Sequence, residues 1–371
     1  MLQSSIEARI GNLLRQLEAD GVDAFWIIQP ENRRYLSGFT AEDPQLTESS
    51  GSLIIGPKER LLLTDSRYTE QAKAEATAFD IITVKGDLIA EFPQILSKIG
   101  CRRLGFEAGY LIWGTYEKLR KVIEKEEVGT VLVPLENRVE DLRKIKDQHE
   151  IEAIKASIGM ITNIIQQVPR WLRPGTTEKQ IAWRIEDEAR RRGAEAMAFP
   201  PIVASGANGA LPHAVPTDKK IAPGEPIVID AGVRLKGYCS DITRTLFFGE
   251  PEAPFMELYR IVREAQKRAI EAIRPDTPTD VPDRVARDII SNAGYGEYFG
   301  HALGHGVGLA THEGPRLSPT KPETLLPGMV VTVEPGIYIP GKGGVRLEEM
   351  VLITENGAEV LTKDLGFYPM E

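Results

Sequence analysis

Two apolar segments in the C-terminal half of the chain run into a carboxylate at the same step after a Pro-Gly turn. One reads Pro223-Gly224-Glu225-Pro226-Ile227-Val228-Ile229-Asp230-Ala231-Gly232 and the other Pro327-Gly328-Met329-Val330-Val331-Thr332-Val333-Glu334-Pro335-Gly336, at a constant offset of 104 positions. A second acid follows each, Asp241 eleven residues after Asp230 and Glu348 fourteen after Glu334. The chain therefore carries two copies of a unit that reads strand-acid, hairpin, strand-acid, and four carboxylates are offered to one place. Ionised carboxylates crowded on apolar strands resist desolvation and repel one another, so a positive charge must sit among them. A pair of divalent metal ions is the simplest source of it.

Length and composition fit two domains of ordinary size, since 371 residues with 42% hydrophobic and 27% charged side chains describe a well-cored globule. A net charge of -9, with no dominant Lys/Arg-rich block, argues against a general nucleic-acid partner. Cys101 and Cys239 lie far apart with no Cys-x-x-Cys spacing, which argues against a disulfide framework and a thiolate metal site. The first ten residues mix charges among their apolar side chains, unlike a signal peptide, and no stretch approaches a membrane span. The cytoplasm is the expected location, with no membrane partner.

Apolar spacing predicts a helix over 5–20 and a strand over 24–28, bounded by Pro30. Segments 52–56 and 60–64 read as a hairpin, and 103–106 and 130–133 as further strands separated by helices. This makes residues 1–136 an alternating α/β domain. The charged segment after Pro134 marks the boundary near residue 137. Residues 137–371 open with a helix to about 168 and another from Thr177 to Arg192, capped by Thr176-Thr177. Strands follow over 201–248, helices over 255–273 and 281–293, a Gly-rich segment over 300–308, and the last strands. That order predicts an internally duplicated α+β domain with its site between the halves.

Of five histidines only His149 lies outside the site region; His213, His301, His305 and His312 stand in or beside Gly- and Pro-rich segments. His301 and His305 are four apart, like a helical zinc pair, but Ala302 replaces the glutamate that motif needs. Gly304, Gly306 and Gly308 would also break the helix. One imidazole with four carboxylates suits Mn²⁺ or Co²⁺ and tolerates Zn²⁺. A single acid at a strand end is usually a solvated turn residue, and the paired spacing argues against that for these four together. His301 is open between a packing role and contact with substrate. Arg346, two residues before Glu348, is expected to share its strand face and pair with it, with Glu349 facing away. Phe199-Pro200-Pro201 and Tyr338 read as core or pocket wall, and Cys239 as core.

The segments Ile229-Asp230-Ala231-Gly232, Gly237-Tyr238-Cys239-Ser240-Asp241-Ile242-Thr243-Arg244-Thr245, Gly304-His305-Gly306-Val307-Gly308, His312-Glu313, Glu334-Pro335-Gly336-Ile337-Tyr338 and Arg346-Leu347-Glu348 together resemble a known family. They look like the successive motifs of the proline-specific metallopeptidases with the pita-bread fold, the prolidases and aminopeptidases P. Asn32-Arg33-Arg34-Tyr35-Leu36-Ser37-Gly38-Phe39 and Leu63-Thr64-Asp65-Ser66-Arg67-Tyr68 are similar to the amino-terminal domain of the same proteins. Methionine aminopeptidases generally lack that domain, and creatinase lacks the metal ligands. Ala231 departs from the aromatic residue many members have there.

The resemblance implies a creatinase/prolidase-like α/β domain for dimerisation and site shaping, followed by a pita-bread catalytic domain. Asp230 and Asp241 would hold one metal ion, and Asp241, His305, Glu334 and Glu348 the other, with Asp241 and Glu348 bridging. Glu334 would carry the proton of the attacking water, and His213 and His312 would donate hydrogen bonds to the substrate. His301 and Tyr338 would wall the proline pocket, Arg316 would bind the carboxylate of a dipeptide, and Arg346 would support the ligands. The expected activity is cleavage between an amino-terminal residue and a following proline, in a dipeptide or a longer peptide, by a homodimer. A pita-bread hydrolase or lyase with a non-proline substrate and a non-catalytic binding module are the alternatives; metal content and a substrate panel separate them.

Overall fold

The computed structural model describes residues 2–43, 45 and 47–368. The chain divides into two compact units between Arg143 and Lys144, where the sequence reading puts the change at 136/137. In the first unit Ile6, Ile10, Leu13 and Leu17 form the buried stripe of α1 (Leu2–Asp20). The short apolar run behind it is β1 (Ala24–Ile27). Pro30 also opens a helix that the periodicity does not reveal, α2 (Pro30–Ser37), sitting in a first turn that needs no N–H from it. The expected hairpin pairs β2 (Ser52–Ile55) with β3 (Arg60–Thr64), Ile55 opposite Arg60.

The unit continues through α3 (Thr69–Glu75), β4 (Asp80–Thr83), α4 (Leu88–Ile99), β5 (Arg103–Glu107), α5 (Trp113–Lys125) and β6 (Val131–Leu135). Among the described residues these strands make one six-stranded sheet, ordered β4-β3-β2-β1-β5-β6, in which β2 runs against the others. Trp26, Ile54, Leu63, Phe92, Leu104 and Leu119 pack as its core. The chain beyond β6 still belongs to this unit because Val139 is buried and Arg143, on the short α6 (Glu140–Lys144), donates to Asn32 Oδ1 at 2.7 Å.

The second unit starts with α7 (Gln148–Ile165), opened by a capping box between Asp147 and Glu150, and the short α8 (Val168–Trp171). The helix α9 (Glu178–Arg191) has Thr177 as its cap, in a reciprocal box with Gln180. Strands β7 (Ala196–Met197), β8 (Ile202–Ser205), β9 (Pro226–Ala231), β10 (Val233–Leu235), β11 (Tyr238–Cys239) and β12 (Ile242–Phe247) follow. The helices α10 (Ala253–Ala272) and α11 (Asp280–Asn292) separate them from β13 (Gly304–Gly306), β14 (Glu313–Leu317), β15 (Val330–Val333), β16 (Gly336–Ile339), β17 (Gly343–Arg346), β18 (Glu349–Thr354) and β19 (Gly357–Val360).

The doubled sequence unit is a doubled structural one. β9 pairs antiparallel with β12 across the β10–β11 hairpin, and β15 pairs antiparallel with β18 across the β16–β17 hairpin. Side chains of α10 and α11, among them Leu258, Tyr259, Val262 and Ile290, bury Val331, Val333 and Val351 from behind. The two halves are stitched where Glu348 N donates to Thr243 O and Arg346 N to Thr245 Oγ1, both at 3.1 Å. Among the described residues no helix is long and apolar enough to cross a membrane.

Candidate metal centre

Each acid owes its place to the strand that delivers it. The β-branched run Ile227-Val228-Ile229 is buried on both faces of β9, between β8 and β12, and carries Asp230 into register with Thr243. Asp241 stands at the step from β11 into β12. Glu334 follows the last residue of β15, and Glu348 lies in the link from β17 to β18. His305 is the middle residue of β13, held between β14 and β15. Glycine on either side is a packing requirement: a Cβ on Gly304 would lie 2.0 Å from Thr332 O, and one on Gly306 2.1 Å from Gly314 O. Those glycines build a tightly paired strand rather than a helix.

Ligand atoms of Asp241, His305 and Glu348 lie within 4.8 Å of one another, with both acids buried. His305 Nε2 is 3.3 Å from Glu334 Oε1 and 3.7 Å from Asp241 Oδ2. Two threonines orient the acids: Thr243 Oγ1 donates to Glu348 Oε2 at 2.9 Å and Thr332 Oγ1 to Glu334 Oε1 at 3.1 Å. Sequence reasoning missed both, although Asp241-Ile242-Thr243 and Thr332-Val333-Glu334 place a hydroxyl two residues from an acid in each half.

The acids share one electrostatic environment. Burial, then the charges of Glu348, Asp230 and Glu334, holds the Asp241 carboxyl well above its ordinary range. Burial and the charges of Glu334 and Asp230 do the same to Glu348. Burial raises Asp230 too, against the pull of Arg346. For Glu334 burial is outweighed by His305, which holds the carboxyl down at about 2. The His305 imidazole is correspondingly raised, its burial outweighed by Glu334. The site is thus short of positive charge, and Asp230 Oδ1 is buried with no hydrogen-bond partner. Three buried carboxylates, an unsatisfied oxygen and one imidazole fit divalent cations with oxygen-rich coordination.

Arg346 corrects the sequence reading. Its guanidinium pairs with Asp230, Nη2 to Oδ2 at 2.6 Å, and not with Glu348. The reason is that β17 ends at Arg346, so Glu348 does not share its strand and the side-chain alternation breaks. Arg346 also donates to Thr243 Oγ1 at 3.1 Å and to Tyr338 OH and Pro212 O, each at 3.0 Å. Tyr338, 6% exposed, contacts His301 Nε2 through the same hydroxyl at 3.0 Å, which ties His301 into a polar chain ending at Asp230. Glu349 faces elsewhere, towards Arg244 at 3.3 Å.

At the open side the ring of His312 lies 4.4 Å from that of His305. His213 is exposed, next to the Pro212 carbonyl that Arg346 holds. Arg316 is opposite His305 in the β13–β14 register, so the two side chains share a face, and it has no ion-pair partner among the described residues. Cys239 is buried, as its reading as core requires.

Comparison with known proteins agrees with this architecture. Residues 152–355 match the model of metallopeptidase family M24, and residues 9–145 that of the creatinase/prolidase N-terminal domain. The Xaa-Pro dipeptidase of Pyrococcus furiosus is 38% identical over 358 residues, covering 96% of this chain and 98% of that protein. The structure of an Xaa-Pro dipeptidase from Bacillus anthracis superposes with a TM-score of 0.90 at 38% identity, over 99% of both chains. That of an X-Pro aminopeptidase from Thermotoga maritima gives 0.83 at 39% identity, over 94% of this chain and 97% of the other. The doubled strand-hairpin-strand unit is the pita-bread fold, and the chain belongs to metallopeptidase family M24, with the creatinase/prolidase-type domain at its amino end.

Proposed function

We propose that the protein is a metal-dependent peptidase that hydrolyses the bond between an amino-terminal residue and a following proline, the specificity for which the three relatives above are named. The observation that carries this reading is the buried convergence of Asp241, His305 and Glu348. Asp230 and Glu334 complete the set in this reading: Asp230 and Asp241 would hold one cation, Asp241, His305, Glu334 and Glu348 the other, and Asp241 and Glu348 would be shared. The oxygen-rich donors favour Mn²⁺ or Co²⁺, with Zn²⁺ tolerated. When bound, such cations lower the pKa of water and polarise a carbonyl.

The chain's own groups supply the rest. Glu334 accepts a proton from the attacking water and delivers it to the prolyl nitrogen as the C–N bond breaks, while the water oxygen stays on the acyl carbon. His312 and His213 donate to the carbonyl oxygen and the charge that develops on it, a contribution typically worth a factor of about 100 or more in rate. Arg316, exposed on the His305 face, binds the carboxylate of a dipeptide, which favours a dipeptidase. His301 and the segment around His213 wall the pocket for the pyrrolidine ring, with Tyr338 supporting His301. Proline's nitrogen carries no hydrogen and its ring fixes the backbone, so a shaped pocket is the natural source of selectivity. A cytoplasmic homodimer completes the reading.

The test is hydrolysis of an Xaa-Pro dipeptide beside an Xaa-Pro-Xaa tripeptide and an Xaa-Ala dipeptide. The Xaa-Pro dipeptide should be cleaved fastest; preference for the tripeptide would assign an aminopeptidase P, and failure on both proline peptides would overturn the substrate.

A further inference from the structure

We infer that Glu178 is a positioning residue for His213, holding both ends of the segment that carries it. Glu178 is the first residue of α9, yet the start of that helix is already capped by Thr177 and Gln180. Its carboxylate is free of that task and serves a different one. Oε1 accepts from Ser205 N at 2.7 Å and Ser205 Oγ at 2.8 Å. Oε2 accepts from Asn208 Nδ2 at 2.9 Å, Thr217 N at 3.0 Å and Thr217 Oγ1 at 2.7 Å. The residue is fully buried. Five donors fill the roughly four lone-pair sites of the carboxylate, and the Lys219 ammonium stands one bond further out, 2.9 Å from Ser205 Oγ.

Ser205 ends β8, and Thr217 precedes the stretch that bridges back to Thr177 through Lys220. Between them residues 206–216 contain a single 3₁₀ turn, Gly206–Ala210, and Leu211, His213 and Val215 project outward. The inner side of this excursion is held by the Arg346 bond to Pro212 O and by close backbone packing, since a Cβ on Gly344 would lie 2.2 Å from Gly209 O. Its two ends are held by the Glu178 carboxylate, alongside the bonds from Lys179 N to Thr217 O at 3.1 Å and from Lys219 Nζ to Ser205 Oγ at 2.9 Å. The same carboxylate therefore fixes where the segment leaves β8 and where it returns, with His213 between. A donor that must meet a developing charge tolerates little displacement, and a misplacement of about 1 Å can cost on the order of 100-fold.

The inference rests on the role proposed for His213, so its test has one arm that needs no substrate. Amide hydrogen exchange is measured on the full-length, metal-loaded protein, wild type and Glu178→Gln and Glu178→Ala. Peptides spanning 205–217 should exchange faster in Glu178→Ala, with Glu178→Gln between, while peptides of β9 and β15 stay as in the wild type. Ser205→Ala and Thr217→Val each remove a hydroxyl donor from the other side while leaving the backbone N–H donors, and give a smaller change of the same kind if Glu178→Ala does not fold. In the kinetic arm, Glu178→Ala should lower kcat/KM on an Xaa-Pro dipeptide by about 10- to 100-fold, mainly through kcat, at unchanged metal content. In a His213→Ala background the same change should cost no more than about twofold, because a residue acting through His213 has nothing left to position. Unchanged exchange over 205–217 would overturn the clamp. Losses that simply add to those of His213→Ala would overturn its action through His213. Absence of Xaa-Pro cleavage in the wild type would refute the proposed substrate while the exchange arm still decides the clamp.

Discussion

Replacing Thr243 by valine removes one hydroxyl at nearly constant shape from a fully buried position in β12. That hydroxyl donates to Glu348 Oε2 at 2.9 Å and accepts from Arg346 Nε at 3.1 Å. Cation binding requires Glu348 ionised, whereas burial and neighbouring acids favour its protonated form. The Thr243 hydroxyl helps the ionised form, and a hydrogen bond to a charged group contributes about 1.5–3 kcal/mol. If about 1.4–2.7 kcal/mol of that is lost on binding, affinity for Mn²⁺ falls about 10- to 100-fold, the range seen for groups that orient ligands. Calorimetric titration of metal-stripped Thr243→Val protein with Mn²⁺ reads this directly. Activity at saturating Mn²⁺ should largely return, since no ligand has been removed. An affinity within about twofold of wild type would refute the reasoning that Thr243 holds Glu348 in its binding state.

Glu334→Gln should abolish turnover while leaving the circular-dichroism spectrum intact; near-normal activity would remove Glu334 from proton transfer. Arg316→Ala should raise KM for an Xaa-Pro dipeptide about tenfold or more while changing it little for a tripeptide, as a charged bidentate contact is lost only for the shorter substrate. Stability of the first unit should depend on pH through Glu107, whose carboxyl burial pushes to about 7 from an ordinary 4.5 despite hydrogen bonds from Gln29, Asn32 and Ile28. A raised acid contributes fully below the unfolded value and loses that contribution as pH climbs through the folded one. Wild type should therefore lose on the order of 3 kcal/mol between pH 4.5 and 7 relative to Glu107→Gln. Urea unfolding of both proteins across that range checks it, and parallel curves would exclude the effect.

Much of the second unit was legible because its signals are local. A Pro-Gly turn, a β-branched run and an acid recur in both halves, and they became β9 and β15 with their acids at the strand ends. Thr177 announced the start of α9 by the same logic of neighbouring residues, while its box partner Gln180 came to light only in the structure. What the sequence concealed depends on contacts between distant segments. Spacing alone pairs Arg346 with Glu348, two positions away, but the chain leaves β17 between them and Asp230, more than a hundred positions earlier, takes the guanidinium. The grip of Glu178 on Ser205 and Thr217 is likewise a property of the fold, with no spacing rule to reveal it. His301 could not be decided from sequence because its partner, Tyr338, comes from the β16–β17 hairpin. In the first unit, α2 was hidden by its Pro30, which marks a strand end and a helix start equally well.

The central claim is that the carboxylate cluster hydrolyses Xaa-Pro bonds only with cations bound. The direct measurement is the rate of Xaa-Pro dipeptide hydrolysis by metal-stripped protein as Mn²⁺ is added back, alongside bound metal per chain. Activity should be absent in the stripped protein, rise with added Mn²⁺ and level off at two bound ions per chain. Full activity without metal, or no cleavage with both ions bound, would contradict it.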